Sequence, residues 1–130
     1  MPSTSQKTDT QRQLEEHVQS IARELDEGIK ITSEGEYSYL IEAGEYDEGD
    51  HMSAYDYLSD VLDIEYIVSA NKAYKSARLL VAFGGPNIWI NLQTGKVEGY
   101  WWGDYAEAHF SRSGQLVEDI DQDLEELFGC

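Results

Sequence analysis

The chain has 130 residues, and its 26 acids against 9 lysines and arginines give a formal net charge of −17. A field of that sign repels nucleic acid and anionic membranes, so direct binding to either is excluded as the main role. A hydrophobic content of 41% with fifteen aromatic residues excludes a disordered acidic tail, and no run of about eighteen apolar residues is present to span a membrane.

In chain order, the polar start "MPSTSQKTDTQRQ" lacks the apolar stretch of a signal peptide. Residues 1–9 are expected to form a flexible N-terminus, followed by a single domain over residues 10–130. From Thr10, Leu14, Val18, Ile21, Ala22 and Leu25 recur at three- and four-residue steps, which predicts an amphipathic helix stopped by Gly28. In "IKITSEGEYSYLIEAG", Tyr37, Tyr39 and Ile41 alternate with Ser38, Leu40 and Glu42 and predict an extended segment. "EYDEGD" is a loop, and Asp50 is a candidate cap for a short helix beginning at His51, with Tyr55, Leu58, Val61 and Leu62 on one face.

Strands follow in "DIEYIVSA", "SARLLVAFGG", "PNIWINLQ" and "KVEGYWW", the last two joined by a turn at Thr94–Gly95. Connections this short require antiparallel pairing, since parallel strands need long crossovers. Leu116, Val117, Ile120, Leu124, Leu127 and Phe128 define a C-terminal amphipathic helix with Ser113 as its cap. The expected fold is α+β: an antiparallel meander of three to four strands, covered by the N- and C-terminal helices, with one further short helix. The tryptophans and the "LLVAF" run are expected in its core.

The charge is unevenly placed. Residues 1–65 carry 17 acids against four bases, whereas residues 66–97 contain no acid at all. Between Glu34 and His51 stand seven carboxylates and a single histidine, with no lysine or arginine. Neighbours three or four apart on a helix have Cβ atoms about 5–6 Å apart. Successive phosphates along a DNA strand, given a rise of about 3.4 Å per nucleotide, are spaced similarly. Asp119, Asp123 and Glu126 on the last helix, and Asp56, Asp60 and Asp63 on the middle one, therefore present negative charge at roughly phosphate spacing. The loop acids Glu42, Glu45, Asp47, Glu48 and Asp50 extend the pattern. Like-charge neighbours cost a helix a few tenths of a kcal/mol each, a cost that a cationic partner would offset.

No motif of catalysis emerges. Gly84-Gly85-Pro86 lacks the Lys-Ser/Thr ending of a phosphate loop and reads as a turn. His17, His51 and His109 have no metal-ligand spacing, and "DEGDH" departs from the EF-hand order. Asp104, Glu107 and His109 would make an acid–base set only if the fold gathered them. Trp101 and Trp102, adjacent in a strand, would point to opposite faces, leaving Trp102 as a candidate interface anchor. The lone Cys130 cannot form an internal disulfide, which fits a reducing cytoplasm.

In composition and charge layout, over residues 9–65 and 113–130, the chain resembles the small acidic DNA-mimic inhibitors of phages and mobile elements, the anti-CRISPR and anti-restriction class. The resemblance rests on charge and on no motif. It implies a non-enzymatic inhibitor, without cofactor or metal, that occupies the basic nucleic-acid-binding cleft of a CRISPR effector or restriction enzyme. Two other readings suit the same residues: a protein-interaction module using the Trp/Tyr-rich strands, and an ordinary domain adapted to a salt-rich cytoplasm. Oligomeric state is not legible.

Overall fold

A computed structural model describes residues 8–129 and shows an α+β fold with a five-stranded antiparallel sheet. Residues 1–7 and Cys130 lie outside the described residues, so the readings placed on them are not addressed by the structure. Thr8 and Asp9, by contrast, are structural: the Thr8 side chain accepts the Gln11 N–H at 3.0 Å and caps helix α1, Asp9–Glu27. The α1 stripe of Leu14, Val18, Ile21, Ala22 and Leu25 is buried as its spacing predicts. Gly28, at φ 80°, ends the helix by donating its N–H to the Glu24 carbonyl at 2.8 Å, a backbone conformation that glycine adopts without a Cβ penalty.

Buried Ile29 and Ile31 then run beside residues 50–52. The Ile31 N–H donates to the Asp50 carbonyl at 2.7 Å and the Met52 N–H to the Ile29 carbonyl at 2.8 Å. The segment read as extended is a short helix, α2, Ser38–Glu42. Its alternation was ambiguous, because Tyr37, Leu40 and Ile41 also stand at i, i+3 and i+4. Those three pack against the core, and Tyr39 stays exposed.

Helix α3, Ala54–Ser59, starts later than His51 and is capped by Ser53, whose hydroxyl accepts the Asp56 N–H at 3.1 Å. Asp50 is not its cap. Its carboxylate accepts the Asp47 N–H at 2.9 Å within the loop, and His51 is bridged to Lys30. Because α3 ends at Ser59, Val61 and Leu62 are not on it, Asp63 opens the first strand instead of extending the helical row of acids, and Tyr55 is exposed rather than part of a buried face.

The strands are β1 Asp63–Val68, β2 Tyr74–Ala82, β3 Asn87–Asn91, β4 Lys96–Trp101 and β5 Asp104–His109, in spatial order β1-β2-β3-β4-β5. The expected three to four strands become five because residues 104–109 form a hairpin with β4 through the two-residue turn Trp102–Gly103. Both turn residues have positive φ, 53° and 83°, the twist that two-residue hairpins prefer. Trp102 is therefore a turn residue and not the strand neighbour of Trp101. A tryptophan at positive φ is uncommon, so the sequence gives little warning of the turn.

Along the sheet, Leu79, Ile90 and Val97 face the helices in one cross-strand row, with Ile88, Gly99 and Ala106 in the next. Helix α1 packs over β4 and β5, and α4, Gln115–Phe128, packs over β2 and beside α1 and α3. Gly114, not Ser113, holds the α4 cap position, because Ser113 is turned into a hydroxyl pair with Ser111 at 2.8 Å. The core is aliphatic: Leu14, Leu25, Ile31, Leu79, Ile88, Ile90, Ile120 and Leu124 are all fully buried, each contributing about 1.5–3 kcal/mol through loss of water contact.

The tryptophans do not form this core. Trp101 is partly buried against it, and Trp102 is 84% exposed. Trp89 lies on the opposite face of the sheet, which no helix covers, with the Arg78 guanidinium 4.3 Å from its ring centre. Phe83, at the end of "LLVAF", is also exposed.

Candidate functional site

The fold sorts the acids by layer. The five strands contain Asp63, Glu65, Glu98, Asp104 and Glu107, and the remaining 21 acids lie in residues 9–60 and 115–128, the helices and loops of the other layer. Those same segments carry only Arg12, Arg23 and Lys30 as bases. Ion pairs among the described residues join Arg12 to Asp9, Arg78 to Glu65 at 2.8 Å, and Lys96 and His109 to Glu107 at 3.8 and 3.2 Å. Three of these four pairs lie on the bare face of the sheet.

Glu42, Glu45, Asp47, Glu48, Asp50 and Asp60 are exposed, and Asp56 is half-buried. Glu48, Asp50 and Asp56 are built into the local structure. The Glu48 carboxylate accepts the Ser33 N–H at 2.9 Å, Asp50 accepts from Asp47, and Asp56 accepts the Tyr46 hydroxyl at 2.5 Å. Tyr46 Oη in turn accepts the Ser53 N–H at 3.0 Å, so residues 46–56 are cross-braced by their own acids. These hydrogen bonds give the three carboxylates a fixed orientation.

On α4 the row Asp119, Asp123 and Glu126 is brought beside the other acidic segments. Asp119 accepts Gln115 Nε2 at 3.0 Å and lines a depression of about 380 Å³ together with Asp26, Glu27, Gly28 and His51. Asp123 and Glu126 border a second groove against α3. Asp119 thus stands beside His51, the residue that follows Asp50 in the loop. Asp121 points the other way, accepting the Tyr74 hydroxyl at 2.6 Å and tying α4 to β2.

A feature that sequence reading missed is a cleft of about 400 Å³ between α1, the turn ahead of α2, and α3, lined by His17, Glu24, Glu36, Tyr37, Tyr57 and Asp60 among others. Burial, and then the nearby Glu36 charge, hold the Glu24 carboxyl above its usual range. Burial and the surrounding acids push the Tyr37 phenol up to about 12. The residues come from separate stretches of chain, so no local pattern announced the cleft.

The candidate acid–base set is not gathered whole: Glu107 and His109 meet at 3.2 Å, but Asp104 is apart from them. Asp104 faces α1 and accepts the Thr8 and Thr10 hydroxyls at 3.0 and 2.6 Å. Glu107 and His109 lie on the bare sheet face, where Glu107 accepts the Tyr105 hydroxyl at 2.7 Å. That bond first, and then Lys96 and His109, hold the Glu107 carboxyl below its usual range. No cluster of three or more histidine, cysteine or acidic side chains suited to a metal ion occurs among the described residues, and no described helix is long and apolar enough to cross a membrane.

At the end of the sheet, Trp102 and the Gly84–Gly85 turn line one hollow. Phe83 and Trp102 on the two hairpin tips are 76% and 84% exposed. Comparison with protein-family models, with curated proteins and with solved structures returns no match to this chain.

Proposed function

We propose that the chain is a non-enzymatic inhibitor whose helical layer takes the place of nucleic acid in the basic cleft of a host defence protein, such as a CRISPR effector or a restriction enzyme. What supports this reading is the partition of charge: 21 acids against three bases in the segments of one layer. Each carboxylate there offers an arginine or lysine of the cleft the charge-assisted hydrogen bond that a phosphate would otherwise make. Glu42, Glu45, Asp47 and Asp60 present open carboxylates, and Glu48, Asp50 and Asp56 stiffen the loop that carries them. Asp119, Asp123 and Glu126 continue the surface along α4. The net charge of −17 steers encounter with a cationic partner and makes the association rate fall with salt.

The test is displacement of fluorescent duplex DNA from guide-loaded CRISPR effectors and from restriction enzymes. The expected result is displacement that weakens steeply between about 0.05 and 0.2 M salt and is lost in the triple variant E42K/E45K/D47K. That variant leaves the braced acids Glu48, Asp50 and Asp56 in place. Displacement that ignores both salt and the triple variant would sink the reading. The exposed hairpin-tip aromatics favour a second reading, an interaction module anchored by Trp102; there W102A abolishes binding and salt matters little.

A further inference from the structure

The two edges of the sheet are treated differently. At β5 the edge is closed by α1: Gln11 Nε2 donates to the Tyr105 carbonyl at 2.9 Å, and Thr8 and Thr10 hold Asp104. At β1 no strand pairs on the outer side among the described residues. Alternate N–H and C=O groups of an edge strand point outward, and a further strand can pair with them. Above β1 lies a groove of about 530 Å³ between α3 and the end of α4, floored by Tyr55, Leu58, Ile64 and Leu127 and bordered by Asp123 and Glu126. Tyr55 and Leu127 are 75% and 52% exposed, and on the strand itself Tyr66 and Val68 are exposed as well.

Alternation along β1 gives its two faces different chemistry. Ile64 and Tyr66 lie on the helix side with the groove, whereas Asp63, Glu65 and Ile67 lie on the bare side of the sheet, where Glu65 already pairs with Arg78 at 2.8 Å and Asp63 accepts the Ile64 N–H at 2.9 Å. Side chains directly opposite in an added strand share a face with these residues. The site therefore suits apolar side chains on the groove side and cationic ones on the bare side, where Asp63 and Glu65 outnumber the one neighbouring cation Arg78. A second copy of this chain would bring Asp63 and Glu65 against their own equivalents, with −17 on each molecule, so like-charge repulsion argues against self-pairing. We infer that β1 and its groove accept an extended, alternately apolar and basic segment of a partner protein as a sixth strand. The groove shares Asp123 and Glu126 with the phosphate-like surface, but pairing along β1 does not depend on that surface competing with DNA.

The probe is a blocked peptide of alternating lysine and valine, about nine residues long to match a strand, labelled for fluorescence anisotropy at near-physiological salt. Its control is the ester-backbone analogue, which keeps every side chain but has no N–H donors. The peptide is expected to bind, to protect alternate amides of residues 63–68 from hydrogen exchange, and to lose affinity about tenfold or more, roughly 1.4 kcal/mol, when the backbone is ester. A similar loss is expected in L127K, whose side chain is exposed and whose change leaves the core intact. Absence of binding, equal binding of the ester analogue, unchanged exchange at β1, or an unaffected L127K would each overturn the inference. So would sedimentation showing that the chain alone dimerises with β1 already protected.

Discussion

A Cβ built on Gly99 would stand 2.7 Å from Leu14 Cδ1 and 2.9 Å from Val18 Cγ1. Helix α1 therefore rests on β4 at a point where no side chain fits, and the glycine sets the distance between the two layers. Leu14 and Val18 are fully buried and cannot swing away. Gly99→Ala is expected to lower stability by about 1–3 kcal/mol through overpacking, read as a shift of the urea midpoint. The same change made in a Leu14→Ala background should cost less, because the smaller side chain opens space, and that non-additivity marks direct contact.

Tyr74 and Asp121 fasten α4 to the sheet through a 2.6 Å hydrogen bond. Burial first, and then this bond, push the Tyr74 phenol up. Tyr74→Phe keeps the ring against Phe128 and removes only the hydroxyl. The expected loss is about 1 kcal/mol, with faster amide exchange in the last turns of α4 than elsewhere in the molecule.

Glu24 gives a pH prediction. Its carboxyl is held above the ordinary value of 4.5 in the folded state, so the folded protein binds this proton more readily than the unfolded chain does. Its contribution to stability is fully present below the unfolded value and is lost as pH rises through the raised folded value. At neutral pH the charged form is thus a burden on the fold. Glu24→Gln should raise the melting temperature at pH 7, and the gain should shrink as the pH falls through the carboxylate range. A gain that does not change with pH would exclude the ionisation of Glu24 as its cause.

Trp102 combines 84% exposure with a φ of 53°. A bulky residue in that region costs of order 1 kcal/mol, whereas asparagine tolerates it. Trp102→Asn is expected to leave thermal stability unchanged or slightly higher. If binding to a partner falls in the same variant, the tryptophan serves contact rather than folding.

The two long helices, the antiparallel meander and the acidic character were legible because each rests on a local signal. Leu14 through Leu25 and Leu116 through Leu124 repeat at helical steps, the inter-strand connections are short, and charge is counted directly. The signals failed where a pattern was too short or a turn lacked its usual residues. Tyr37 to Glu42 spans six positions, too few to separate strand from helix spacing. Trp102 sits in a hairpin turn that asparagine or glycine would advertise, so neither β5 nor the exposure of Trp102 is legible in the sequence.

Of the candidate surface, the sequence by itself determined which residues are acidic and that they cluster along the chain. Only the tertiary structure decided that the helical layer gathers most of them and that Glu48, Asp50 and Asp56 brace a loop. It also decided that Asp104 parts from Glu107 and His109, and that β1 stays open beneath a groove. The physical reason is that charge and periodicity are properties of a stretch of chain. Which stretches meet depends on how the helices pack on one face of the sheet, and no local segment contains that.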